Sequence, residues 1–209
     1  MILDIMSRGG YFMWVIAFIG LLALIVTAER LIRIWIIFSV DGEGLMKQIT
    51  KHIMGDNVDR AIGVCDTSPR TALAQVLKAG LTRANKSEVD IQNAIEEKTL
   101  EVLPQVQRRL HFLPMLANVA TLLGLEGTVV GLIQAFAGIA HADPVQRQQV
   151  LTQGIEVAMY TTAFGLVIAI PTIFFHSFLY HKMAMIVNDI DEYSVKLVNL
   201  LISRSRSLF

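Results

Sequence analysis

Three long apolar runs stand out against shorter helical stripes. Tyr11 to Ala28 is free of formal charge, and so is Val157 to Tyr180. Phe112 to Ala140 carries only Glu126. The last two runs are separated by the polar stretch His141-Ala142-Asp143-Pro144-Val145-Gln146-Arg147-Gln148-Gln149. A hydrocarbon core roughly 30 Å thick takes about 20 apolar residues of helix, so each run predicts a membrane span. The first is longer than the roughly 7 to 15 residues of a secretory leader's apolar core, and Asp4 sits beside Arg8 ahead of it, which points to a retained span. It is expected to continue through Leu31, Ile32, Ile34, Trp35, Ile36 and Phe38, with Arg33 reaching the headgroups.

Between the first two spans the pattern turns amphipathic. Leu45 to Ile53 predicts one helix and Val58 to Cys65 another, capped by Asp56 or Asn57. A third runs from Ser68-Pro69 to Ala84, with proline in its first turn, where the missing N–H costs little. Ser87 with Asp90 reads as a capping box in which Asp replaces Glu, opening a stripe of Ile91, Ile95, Val102, Val106, Leu110 and Leu113. No turn signal follows, so one helix of about fifty residues, ~75 Å at 1.5 Å per residue, is expected to carry this stripe into the second span, kinked at Pro104 and Pro114. The third span is expected to continue to Leu201 on Met183, Ile186, Val187, Ile190, Val195, Leu197 and Leu201, and Ser203 to Phe209 reads as a frayed tail.

Small residues recur along the second span at Ala117, Ala120, Gly124, Gly127, Gly131, Gln134 and Gly138, and along the third at Gly154, Ala158, Thr161, Gly165 and Thr172. In lipid the hydrophobic effect does little to join helices, and close backbone approach over Gly and Ala supplies the attraction. These stripes therefore predict a tightly packed antiparallel hairpin. Thr121 and Thr128 lie beside the first stripe and Thr161-Thr162 on the second, so the hairpin would bring Thr128 and Thr162 to nearly the same depth, where hydroxyls or waters could pass a proton. Each hydroxyl could instead bond a carbonyl one turn back on its own helix.

Composition agrees: of 209 residues 54% are hydrophobic, and the mean hydropathy is +0.54. Eighteen basic and eighteen acidic residues cancel, so no net charge argues for nucleic acid, and placement matters more. Arg8 and Arg147 fall on one side, whereas Arg30, Arg33, Lys47, Arg108, Arg109 and Lys182 crowd the other. By the positive-inside rule the crowded ends are cytoplasmic, the N-terminus and the Asp143 loop are periplasmic, and the C-terminus is cytoplasmic. The expected fold is an all-α integral membrane protein: three transmembrane helices, two extended far into the cytoplasm, and a small helical cytoplasmic domain. The boundaries are a lead at 1–10, the first helix at 11–38, the cytoplasmic helical domain at 39–111, the second span at 112–140, a periplasmic loop at 141–153, the third span at 154–180 and a C-terminal helix and tail at 181–209.

Enzyme chemistry finds no footing. The sequence has no H-E-x-x-H, no G-x-S-x-G turn and no phosphate-binding glycine loop, and its five histidines do not fall at ligand spacing. Neither a metal nor a cofactor is expected. Glu126 and Glu156 are the carboxylates within or beside the spans, and a charge at mid-bilayer costs at least ~2.5 kcal/mol; each calls for a partner or a proton. Glu126 sits about 160° around the helix from Thr128, which points it toward another helix or subunit. The single Cys65 permits no disulfide within the chain.

Leu122-Leu123-Gly124-Leu125-Glu126-Gly127-Thr128-Val129-Val130-Gly131, followed by Phe136-Ala137-Gly138-Ile139, resembles the second-span signature of ExbB/TolQ proteins, within the MotA/TolQ/ExbB proton-channel group. Gly154-Ile155, Thr161-Thr162-Ala163-Phe164-Gly165-Leu166 and Ala169-Ile170-Pro171 resemble its third span, and Gly9-Gly10, Met13-Trp14 and Glu29-Arg30-Leu31 its first. The resemblance implies a ring, typically a homopentamer in the bacterial inner membrane, around the single spans of an ExbD/TolR-like partner dimer, with proton flow turned into work on a periplasm-spanning TonB/TolA-like protein. It also implies that Thr128 and Thr162 line the pore opposite a partner's Asp, and adds Pro171 to the packing positions. The chain departs from that pattern at Glu126, normally apolar, at Thr121, normally Pro, and at Val157, where an acidic residue is usual and Glu156 stands one place earlier. A passive membrane scaffold for a single-span partner is the alternative.

Overall fold

The structure, a computed structural model, describes residues 10–34 and 41–207. All of the regular structure among them is helical: α1 (Gly10–Ile32), α2 (Gly42–Met54), α3 (Val58–Asp66), α4 (Ala72–Thr82), α5 (Glu88–Gln107), α6 (Phe112–His141) and α7 (Arg147–Ser207). The expected lead at Met1 to Arg8 and the first helix's continuation over Trp35, Ile36 and Phe38 lie outside the described residues. Among the described residues, three helical stretches are long and apolar enough to cross a membrane, and the protein is an all-α membrane protein. Two compact units form, one from residues 1–29 and 109–178, the other from 30–108 and 179–209.

In the first unit, α1 buries Met13, Ile16 and Ala23, three positions on one helical face. A Cβ placed at Gly20 would meet the tip of Ile168 at 2.6 Å, so α1 lies against α7. Arg109 Nη1 reaches Glu29 Oε2 at 2.5 Å, tying the end of α1 to the residues that precede α6. The outward surface of α6 and α7 is greasy: Leu122, Val129, Ile133, Phe136, Val167 and Phe174 are all exposed. Such a surface suits lipid or other apolar chains.

In the second unit, α2 packs on α3, α3 on α4, and α4 on α5. Asp41 caps α2 through a bond from the Gly44 N–H, and Ser87 caps α5 in the capping box read from the sequence, with both reciprocal bonds to Asp90 present. Close approach is again managed by glycine. A Cβ at Gly80 would press on Ile95 of α5 and Leu197 of α7, and one at Gly42 on Tyr193 of α7. Arg204 near the end of α7 pairs with Asp56 in the α2–α3 turn at 2.6 Å, where Asp56 takes φ +57°.

Several expectations are corrected. The long helix is broken, because Arg109 adopts φ +62° and residues 108–111 form a turn between α5 and α6. Pro114 is thus the third residue of α6, in the first turn, where no intrahelical acceptor awaits its missing N–H. Helix α4 starts at Ala72 rather than Ser68: Thr71, with ψ 139°, is its N-cap, and its hydroxyl bonds Ser68 O to close the preceding turn. The connection between the last two helices is shorter than 141–153, since α7 already begins at Arg147. That helix also persists to Ser207, where a frayed tail was expected from Ser203. Val195 is 61% exposed, and Ser194 and Val198 take its place in the buried stripe.

Cys65 is buried in α3, and desolvation pushes its thiol from 9.0 to about 11. The thiolate is the nucleophile, so iodoacetamide should modify the folded chain slowly at pH 8 and rapidly after denaturation. The unfolded thiol releases its proton first as pH rises. Stability is therefore expected to fall from about pH 9 toward 11, and Cys65→Ala should flatten that decline in denaturant titrations.

Candidate functional site

The hairpin of α6 and the first half of α7 is built on the small-residue stripes. Leu113, Leu116, Ala117, Ala120, Gly124, Gly127, Gly131 and Ala135 are the buried residues of α6. Ala135 rather than Gln134 continues the stripe, Gln134 being exposed. Opposite them on α7 are Ala158, Thr161 and Gly165, and farther along α7 Ala169 and Thr172 are also buried.

How tightly the helices meet is clearest at the glycines. A Cβ at Gly165 would lie 2.7 Å from the Ala120 carbonyl oxygen, and one at Gly131 3.2 Å from the backbone nitrogen of Ala158. One at Gly127 would lie 2.6 Å from the Thr161 hydroxyl, and one at Gly138 2.7 Å from Val150. At Gly154 it would overlap the side chain of Ala135. From Ala120 to Ala135 the helices thus meet through backbone and small side chains, Thr161 among them, which leaves no room for larger ones between them. Pro171 lies farther along α7 and is exposed.

Four threonine hydroxyls sit on or beside this seam. Thr162 Oγ1 donates across the hairpin to the Gly124 carbonyl at 2.9 Å, the single bond of this set that joins the two helices. Thr161 Oγ1 donates to Ala158 O at 2.9 Å, Thr121 Oγ1 to Ala117 O at 3.0 Å, and Thr128 Oγ1 to Leu125 O. Thr161 is only 1% exposed and packs against Gly127, so within the chain its place is the seam itself. Thr128 and Thr162 are half-buried. With Gly127 opposite Thr161, the antiparallel register sets Thr128 and Thr162 about two residues' rise apart, ~3 Å along the axis. They share a level without bonding each other.

Glu126 is exposed and Glu156 half-buried, and the hairpin does not bring either carboxylate into its seam. No group of three or more His, Cys, Asp or Glu side chains that could hold a metal ion occurs among the described residues. The interhelical bond of Thr162 was missed from sequence: its partner is a main-chain carbonyl 38 residues away, which no side-chain pattern records. The Glu29–Arg109 pair, 80 residues apart, was missed for the same reason.

The family described as the MotA/TolQ/ExbB proton channel family matches residues 68–192, a stretch that contains all of α4, α5 and α6 and α7 to Glu192. Among individual proteins, the chain is 29% identical to the biopolymer transport protein exbB1 of Vibrio cholerae over 169 residues, covering 78% of this chain and 72% of that one. It is 28% identical to a putative biopolymer transport protein ExbB homolog of Methanothermobacter thermautotrophicus, covering 85% of this chain and 62% of the relative. Over 90 residues, 43% of this chain and 37% of the relative, it is 33% identical to the Tol-Pal system protein TolQ of Haemophilus influenzae. A match over more than half of the chain, spanning the glycine-rich hairpin that the geometry singles out, leads to one conclusion: the protein belongs to the MotA/TolQ/ExbB proton channel family.

Proposed function

We propose that this protein is the channel-forming subunit of an energy-transducing motor of the inner membrane, and that it passes protons along Thr128 and Thr162 to do mechanical work through an ExbD/TolR-like partner. Several copies, typically five in the family it resembles, would form a ring around a partner dimer. The lead and the 142–146 connection would face the periplasm, with α2 to α5 and the C-terminal part of α7 in the cytoplasm. A TonB/TolA-like protein would carry the work onward.

The observation that carries this reading is the pairing of a close, small-residue seam with two hydroxyls at one level. A hydroxyl can accept a proton's hydrogen bond on one lone pair while donating its own hydrogen, so a threonine can relay without being charged. Charge must still rest somewhere, and α6 and α7 carry no Asp between Phe112 and Tyr180 except Asp143 in the connection. A carboxylate supplied by a partner's span completes the path. Thr162 holds its hydroxyl on Gly124 O at rest and would turn toward that carboxylate when it is charged. Glu156, in the early turns of α7, would feed the path from the periplasmic side, and Glu126 on the other flank of α6 would face a neighbouring copy.

The alternative reading, a scaffold that holds the partner without conducting, draws on a specific observation: Thr128 and Thr162 both have their hydroxyls bonded to backbone. Both readings expect a partner, which is tested first. Purified in mild detergent from a cell expressing it, the chain is expected to bring down a small single-span protein with an Asp in its span. Repeated failure across several mild detergents would overturn both.

A further inference from the structure

We propose that the groove between α5 and the C-terminal part of α7 docks a cationic, apolar-anchored segment of another polypeptide. This goes beyond ion passage and does not depend on it. The groove lies wholly within the second unit and encloses about 610 Å³. Its floor is apolar, formed by Ile95 and Val198, which are 7% and 8% exposed. Leu100 and Val195 stand at its edge, 66% and 61% exposed, although each belongs to a helix whose other face is well packed. Exposed side chains of this kind beside a formed concavity mark a contact surface.

Charge names the occupant. Among the described residues, Glu88, Glu96 and Asp191 line the groove and no Lys or Arg does. Three carboxylates around an apolar floor favour a segment that brings lysine or arginine to the rim and an aliphatic or aromatic side chain to the floor. A separate sign comes from Ser194. It is 8% exposed, lines the groove, and its Oγ has no hydrogen-bond partner among the described residues. A buried hydroxyl left unbonded costs free energy, whereas nearby Thr99 satisfies its own on Ile95 O at 2.8 Å. An extended segment lying in the groove would present backbone groups to Ser194 and remove that cost.

The test uses the full chain in a neutral detergent and a fluorescein-labelled nine-residue peptide of alternating lysine and leucine, followed by fluorescence anisotropy. Saturable binding is expected, weakening as salt shortens the reach of the rim charges. The triple variant Glu88→Gln, Glu96→Gln, Asp191→Asn should weaken it about tenfold, three exposed charge contacts together. All three positions are exposed, so circular dichroism and the melting temperature should stay as in the parent. Ser194→Ala should weaken binding without lowering the melting temperature. Equal binding to the triple variant, or to a peptide with glutamate in place of lysine, would mean association with detergent and overturn the proposal. So would absence of binding. If the peptide fails to bind and Val195→Arg reduces the particle size on gel filtration, the groove is covered by a second copy instead.

Discussion

Gly165→Leu is expected to force α6 and α7 apart and to cost about 3 kcal/mol or more, the upper range for overpacking a closed interior. The physical reason is what the new side chain meets. Its Cβ alone would lie 2.7 Å from the Ala120 carbonyl oxygen, a backbone atom held by its own helix, so the strain cannot be relieved by turning a side chain. Two comparisons isolate this effect. A Cβ at Gly20 would meet Ile168 Cδ1 at 2.6 Å, but that is the tip of a flexible side chain, and Gly20→Ala should be tolerated far better than Gly165→Ala. At Gly63 nothing lies within 4 Å. Gly63→Ala should stabilise α3 by roughly 0.5–1 kcal/mol, the helical cost of glycine relative to alanine. Unfolding by a denaturing detergent in mixed micelles, followed by circular dichroism, ranks the three.

Thr162→Val is expected to spare the fold and stop the flow. Valine has nearly the shape of threonine, so the packing against α6 survives and the lost bond to Gly124 O costs only about 0.6 kcal/mol, the average for a side-chain bond between membrane helices, with ~1.7 as the upper end. If the hydroxyl is a member of the path, as proposed, proton flux through the assembled complex should nevertheless fall about tenfold or more, the factor that ~1.4 kcal/mol sets on a barrier. Thr162→Ser keeps the hydroxyl and should keep most of the flux. Flux is read from dye quenching in proteoliposomes that contain the partner. Unchanged flux in Thr162→Val, with the partner still co-purifying, would favour the scaffold.

The packing face of the hairpin could be read from sequence because glycine and alanine are visible at the spacing that a helix imposes. What slipped was phase. A strict seven-residue repeat drifts by about 20° per heptad on a straight helix, and by the end of α6 that drift moves the buried position from Gln134 to Ala135. In α7 the repeat itself, from Val187 to Leu201, falls on Ser194, and Val195 reads as buried only because it is apolar where Ser194 is polar. The start of α5 was legible from its cap chemistry at Ser87 with Asp90, whereas α2, capped by Asp41, starts at Gly42, three residues before the predicted Leu45. The break before α6 was not, because neither Gly nor Pro occupies residues 108–111. Arg109 takes the left-handed backbone there, and the contact that accompanies it, with Glu29, joins residues 80 apart. Thr128 and Thr162 could be placed at one depth from their numbering, but the main-chain partners of their hydroxyls could not.

Access from water to the two hydroxyl positions tests the central claim most directly. With Cys65→Ala as background, Thr128→Cys and Thr162→Cys are each assembled with the partner and exposed to a membrane-impermeant cationic thiosulfonate. Ile133→Cys serves as the control, about 140° around α6 from Thr128 and 62% exposed on the greasy surface. A hydroxyl-lined aqueous path predicts modification at Thr128→Cys and Thr162→Cys and none at Ile133→Cys. Modification at Ile133→Cys with both threonine positions untouched would contradict it.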